Sequence, residues 1–159
     1  MRYVVIGAFA ANLQGWPEAT QDVDVTPDRE VRNLQRLARA LAEMDSVALD
    51  DEGEPMPDQM LDDQHLRMQA RTLVETRYGE LDIVVNPAGA NGYADLLRDT
   101  EPYEVSEGVT ILAVSLRRVI ESKEIVDRPK DRSVLPRMRE ILKKNERDKR
   151  AENENDNGS

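Results

Sequence analysis

The stretch "QGWPEATQDVDVTP", residues 14 to 27, sets Asp22 and Asp24 on either side of a valine in a segment that otherwise alternates like a half-buried strand. Successive side chains of a strand point to opposite faces, so Val23 and Val25 share one face and the two aspartates share the other. Like charges on one face repel, and something must offset that cost. A divalent cation would do so. A rise of about 3.3 Å per residue puts the two backbone positions roughly 6–7 Å apart, close enough for their carboxylates to converge on shared metal. The bland alternative is a charged solvent face on an edge strand, where acids discourage aggregation.

Working outward, "RYVVIG" (2–7) is a β-branched run ending at Gly7, and "AFAANLQG" (8–15) has the composition of a short helix closed by Gly15. Thr26-Pro27-Asp28 carries the signals of a helix start, and Val31, Leu34, Leu37, Ala38 and Leu41 form the apolar stripe that follows. From Ala40 to Leu66 the chain has no Lys or Arg but nine Asp and Glu, with Pro55 and Pro57, so residues 45–63 read largely as a solvated loop. "TLVETRYGELDIVV" (72–85) reads as a hairpin around Tyr78-Gly79-Glu80, with Asp82 on its second strand. "NPAGANG" (86–92) is turn chemistry, "YADLLRD" (93–99) a short helix and "GVTILAV" (108–114) a strand. Ser115 then caps "LRRVIESKEIV" (116–126), and the last helical segment carries Pro136, which should kink or split it. The expected division is one domain over residues 1–145 and a polar extension or tail over 146–159.

Composition narrows the function. A formal net charge of −10 disfavours a sequence-independent nucleic-acid binder, which needs clustered cations to displace counterions from phosphates. The chain has no cysteine, which removes disulfides, thiolate metal sites and cysteine nucleophiles and accords with the cytoplasm as the expected compartment. "YVVIGAFAA" (3–11) imitates a signal peptide, but a single Arg2 precedes it and the apolar run is short. No stretch approaches the length needed to span a bilayer.

Taken in order, the parts are an apolar strand, a glycine turn into a helix, an Asp-x-Asp strand and a separate strand bearing Asp82. "YVVIGAFAANLQGWPEATQDVDV" (3–25), "TRYGELDIVV" (76–85) and "VSLRRVIESKEIVDRPKDRSVLPRMREIL" (114–142) together resemble the minimal nucleotidyltransferases of the DNA polymerase β superfamily, and among them the group that includes the AbiEii-like toxins. The resemblance covers about residues 2–143. It implies an α+β nucleotidyltransferase fold, with helices packed on a small mixed sheet and further helices at the C-terminus.

The implied activity is transfer of a nucleoside monophosphate from an NTP such as ATP to a hydroxyl acceptor on a tRNA end, a protein or a small molecule. The toxin half of a toxin–antitoxin pair, with an antitoxin protein as partner, is the role implied by that group. Asp22, Asp24 and Asp82 would be the catalytic carboxylates and hold two Mg²⁺ ions, with Mn²⁺ as a substitute; Asp82 would alternatively accept the proton of the attacking hydroxyl. Gly7 and Ala8 fall at the phosphate-binding turn, with Thr20 on the nucleotide side of the aspartates. Lys123 would reach the triphosphate, while Arg128, Lys130 and Asp131 line or brace that side of the pocket.

Three departures qualify the match. The turn carries Ala8 where relatives have a second Gly or a Ser, Glu18 stands where many have Arg, and the first strand opens at Arg2 where relatives often have a preceding helix. Ala8 and Glu18 keep a second reading open, a non-catalytic nucleotide- or partner-binding regulator or antitoxin of the same fold. His65 lacks evident metal partners, Trp16 next to Pro17 reads as packing or a pocket lid, and the acids of residues 50–63 read as solvated.

Overall fold

The computed structural model describes residues 1 to 156. Eight strands form one mixed sheet: β1 Tyr3–Ile6, β2 Asp22–Pro27, β3 Val47–Leu49, β4 Pro55–Met56, β5 Arg71–Thr76, β6 Gly79–Val84, β7 Thr100–Ser106 and β8 Val109–Val114. Six α-helices accompany them: α1 Gly7–Asn12, α2 Val31–Glu43, α3 Asp63–Met68, α4 Tyr93–Leu96, α5 Leu116–Val126 and α6 Pro129–Asp156. The strand order is β4-β3-β5-β6-β2-β1-β8-β7. Only β2–β6 and β1–β8 run parallel.

The centre of the sheet is apolar because both of its faces are covered. Val4 and Val5 of β1 point to opposite faces, and both are buried. Leu34, Leu37 and Leu41 of α2 share the core with Leu116, Val119 and Ile120 of α5 and with Leu135 and Met138 of α6. The stripe from Val31 to Leu41 is thus core at Leu34, Leu37 and Leu41, with Val31 itself exposed.

Several expectations are met. β5 and β6 form the hairpin, closed by a two-residue turn at Arg77-Tyr78 with Thr76 opposite Gly79. Ser115 caps α5, its Oγ accepting from the Arg118 amide at 3.3 Å. "YADLLRD" is α4 followed by a 3₁₀ turn at Leu97–Asp99.

Four expectations are corrected. The acidic stretch 45–63 contains β3 and β4, because Val47–Leu49 pairs antiparallel with β5 and buries Ala48; three residues are too few to show through a run of acids. Residues 100–106 form β7, which the sequence reading left without structure; Pro102 fits there because β7 is an edge strand. The helix start falls later than Thr26-Pro27-Asp28: Pro27 still pairs with Tyr3 in the β1–β2 ladder, and Glu30 caps α2 by accepting from the Arg32 amide. Pro136 does not split α6; it lies on the exposed side, where water can satisfy the carbonyl it leaves free. Residues 146–156 continue α6, tied back by Arg117–Glu146 and Lys149–Glu101 ion pairs, and residues 157–159 of the expected tail lie outside the described residues.

Candidate active site

β2 lies between β1 and β6, and this placement assembles the site. Ile6, the last residue of β1, pairs with Asp24, so the chain turns into α1 directly beside that carboxylate. On the other side Asp24 pairs with Asp82 in a parallel register. Paired residues on neighbouring strands face the same way, about 4.8 Å apart at the backbone, and Asp22 shares that face two residues earlier. The three acids therefore stand together.

Gly7 is required at the turn for two reasons. Its φ is +66°, a conformation that residues with a Cβ adopt only at a cost, and a Cβ there would lie 2.0 Å from Asp24 Oδ2. The carboxylate packs against bare backbone.

Each acid is held differently. Asp22 accepts a short hydrogen bond from the Thr20 hydroxyl. Asp82 is buried and gripped by Arg71, whose Nε lies 3.0 and 2.8 Å from the two carboxylate oxygens and whose Nη2 lies 2.6 Å from Oδ2. That hydrogen bond raises the Arg71 pKa above its ordinary value, outweighing the opposing effect of burial. Asp24 stands between its two acidic neighbours. Burial, followed by repulsion from Asp22 and Asp82, pushes its pKa up from 3.8 to about 6, against weaker attraction from Arg71 and Lys123.

A second charged cluster lies where α5 meets α6. Asp131 is fully buried and accepts from Lys123 Nζ at 2.9 Å and from Arg128 Nε at 2.6 Å. Burial alone would raise its pKa, but the hydrogen bonds from Arg128 and Lys123 hold it below the usual carboxylate value. The left-handed turn at Asp127, φ +53°, ends α5 and lets Arg128 fold back onto Asp131.

Both clusters open into one cleft of about 590 Å³. Asp22, Asp24, Asp82, Gly7, Ala8, Thr20, Lys123, Arg128, Lys130 and Asp131 all line it, so the structure brings together every residue singled out from the sequence. Ala8 and Glu18, the two departures, line it as well. Trp16 is buried on its wall with Arg137 stacked 5.6 Å from the ring centroid, a packing position. His65 is absent from this lining; its Nδ1 lies 3.0 Å from Gln59 Nε2.

The donor chemistry suits a hard cation. Asp22 and Asp24 offer carboxylate oxygens of the kind Mg²⁺ takes, and the repulsion on Asp24 is what such an ion would relieve. Asp82 has both oxygens engaged by Arg71. Among the described residues, no group of three or more His, Cys, Asp or Glu forms a ready-made metal-holding set.

Two lining residues escaped the sequence reading. Arg71 was discoverable: counting back from the Arg77-Tyr78 turn pairs Leu73 with Asp82 and puts Arg71 two residues further along the same face. Arg118 was not. It donates to the Gly89 carbonyl at 3.1 Å and pairs with Asp95 at 3.3 Å and Asp99 at 3.5 Å, fixing the turn-rich segment 86–92 at the cleft wall through contacts distant in sequence.

The fold is that of the nucleotidyltransferases: an α+β domain whose mixed sheet carries the acidic pair on one strand and a third acid on the parallel neighbour. The solved structure of the lincosamide antibiotic adenylyltransferase LnuA, bound to lincomycin, is similar, with a TM-score of 0.56 and 16% identity over 88% of this chain and 87% of that one. No protein-family model matches the chain, and no curated protein does. Among the described residues no helix is long and apolar enough to cross a membrane.

Proposed function

We propose that this chain is a divalent-metal-dependent nucleotidyltransferase that moves a nucleoside monophosphate from an NTP to a hydroxyl group on a small polar acceptor. The supporting observation is the meeting of Asp22, Asp24 and Asp82 in a cleft that also contains Lys123, Arg128 and Lys130. Acids and cations in one cleft match a metal-bound triphosphate, with carboxylates for the ion and fixed cations for the phosphates.

Asp22 and Asp24 would hold the cation, which supplies charge neutralisation at the α-phosphoryl oxygens and the leaving group when bound. The acceptor oxygen attacks the α-phosphorus and forms a new P–O bond. The bond from that phosphorus to the bridging oxygen breaks, and its electron pair departs with pyrophosphate. The acceptor proton passes to Asp82. Lys123 and Arg128, braced by Asp131, would meet the triphosphate, with Lys130 at the rim. Thr20 orients Asp22.

A small acceptor is favoured over RNA by the net charge of −10, and the similar adenylyltransferase holds a small antibiotic. The cleft volume suits a compact ligand pair. Incubation with each labelled NTP, Mg²⁺ and a panel of hydroxylated small molecules, RNA and proteins tests the reading. Transfer to a small molecule is expected, reduced roughly a thousandfold or more in Asp24→Ala. Absence of transfer from every NTP, or equal transfer by Asp24→Ala, overturns it. The toxin role implied by the resemblance predicts growth arrest on expression, relieved by the same substitution.

Ala8 and Glu18 in the cleft lining favour one second reading, a nucleotide-binding regulator without turnover. An acid facing a triphosphate weakens its binding. Calorimetry with non-hydrolysable NTP analogues separates the two, because tight binding without any transfer supports the regulator.

A further inference from the structure

We propose that Arg71 stands in for a second metal ion, so that the cleft takes one divalent cation, on Asp22 and Asp24, instead of two. This rests on the nucleotidyltransferase reading above and revises the two ions expected from the sequence.

The geometry comes first. Arg71 Nε reaches both oxygens of Asp82, and Nη2 adds a third contact at 2.6 Å. A guanidinium fork on a carboxylate is the most directional ion pair a protein makes, and here the acid side is buried. A metal bridging Asp24 and Asp82 would have to approach the oxygens that the fork already holds. Asp22 has no such partner; its contact is a neutral hydroxyl from Thr20, which leaves its charge uncompensated.

The charge count agrees. Three carboxylates carry three negative charges, and Arg71 returns one positive charge, which leaves two. One divalent ion neutralises that remainder. Lys123 does not alter the balance, because its ammonium is bonded to Asp131, itself bonded to Arg128.

Arg71 is well placed for this task and has no other evident one. It opens β5 opposite Val84, its side chain is half exposed, and no apolar contact requires a cation there. Its fixed position also keeps Asp82 oriented without a metal bond, which leaves that carboxylate for the acceptor proton. Arg71 is thus a positioning residue that supplies charge through Asp82.

Counting Mn²⁺ bound to the full chain, from the electron paramagnetic resonance signal of the free ion, tests the proposal without any turnover. The Asp24→Asn chain serves as the baseline for ions on other surface acids. The expected count above that baseline is one for the native chain, one for Arg71→Lys, which keeps the charge, and two for Arg71→Met. Two ions in the native chain, or one in a folded Arg71→Met, overturn the inference and leave the nucleotidyltransferase reading intact. No ion above baseline in the native chain overturns that reading and the inference with it. Circular dichroism establishes that each variant is folded, and the native count decides the question even where Arg71→Met fails to fold.

Discussion

The cleft contains two charged clusters of opposite design. On the strands, Asp22, Asp24 and Asp82 share a single nearby cation, Arg71; where α5 meets α6, the single acid Asp131 holds two, Lys123 and Arg128. The first has surplus negative charge and the second surplus positive charge. Their protonation follows: Asp24 is pushed up to about 6, whereas Asp131 is held below its usual value. A cluster satisfied within the protein behaves as structure, and one left unsatisfied is a place for a ligand. The two surpluses are complementary in turn, since a metal answers one and a triphosphate the other.

Removing the acid from the satisfied cluster should cost the most stability. Asp131→Ala leaves Lys123 and Arg128 without their shared carboxylate, and the loss expected is about 3–5 kcal/mol, measured by urea unfolding. If instead it costs no more than a surface change, the cluster is not the brace that the comparison makes it.

Removing the central acid of the unsatisfied cluster should do the opposite at neutral pH. The folded pKa of Asp24, about 6, exceeds the ordinary 3.8, so the folded chain binds more protons between those values and loses stability as pH rises through them. The penalty is absent below about pH 4, complete above about pH 6, and on the order of 2–3 kcal/mol. Asp24→Asn should therefore melt higher than the native chain at pH 7.5, with the gap closing towards pH 4. Magnesium at pH 7.5 should raise the native melting temperature and leave that of Asp24→Asn unchanged. A constant gap across this range would remove Asp24 as the source.

Gly7→Ala tests the seat of that carboxylate. The positive φ alone costs about 1–2 kcal/mol, and the new methyl group must displace Asp24, so transfer activity should fall roughly a hundredfold with only a modest drop in melting temperature. Equal losses of both would show a fold defect instead. The smallest effect belongs to an ion pair outside the cleft lining: Arg139→Ala breaks an exposed contact with Glu124 and should change stability by under about 0.5 kcal/mol. A larger change there would mean that exposed pairs on α6 matter as much as the buried one.

Much of the site was legible because its parts obey short-range rules. Period-two alternation put Asp22 and Asp24 on one face, a hairpin turn put Asp82 on the second strand of its pair, and Ser115 announced α5. The elements that escaped lack such a signal. β3 is three residues long within an acidic run, and β7 contains Pro102 and charged residues that only an edge position tolerates. The start of α2 was misplaced because Thr26-Pro27 has the chemistry of a helix start, and pairing with β1 overrode it.

By itself the sequence determined which residues carry charge, the alternation that aligns two of them, the glycine that lets the chain turn, and the apolar stripes that build a core. Strand order was decided by tertiary structure alone, because the pairing of β2 with β6 joins segments some sixty residues apart and no local propensity selects it. That pairing sets Asp24 against Asp82, and the β5 register then brings Arg71 onto Asp82. Electrostatic balance depends on distances across the fold, so the difference between a satisfied acid and an unsatisfied one emerged only when the chain was folded.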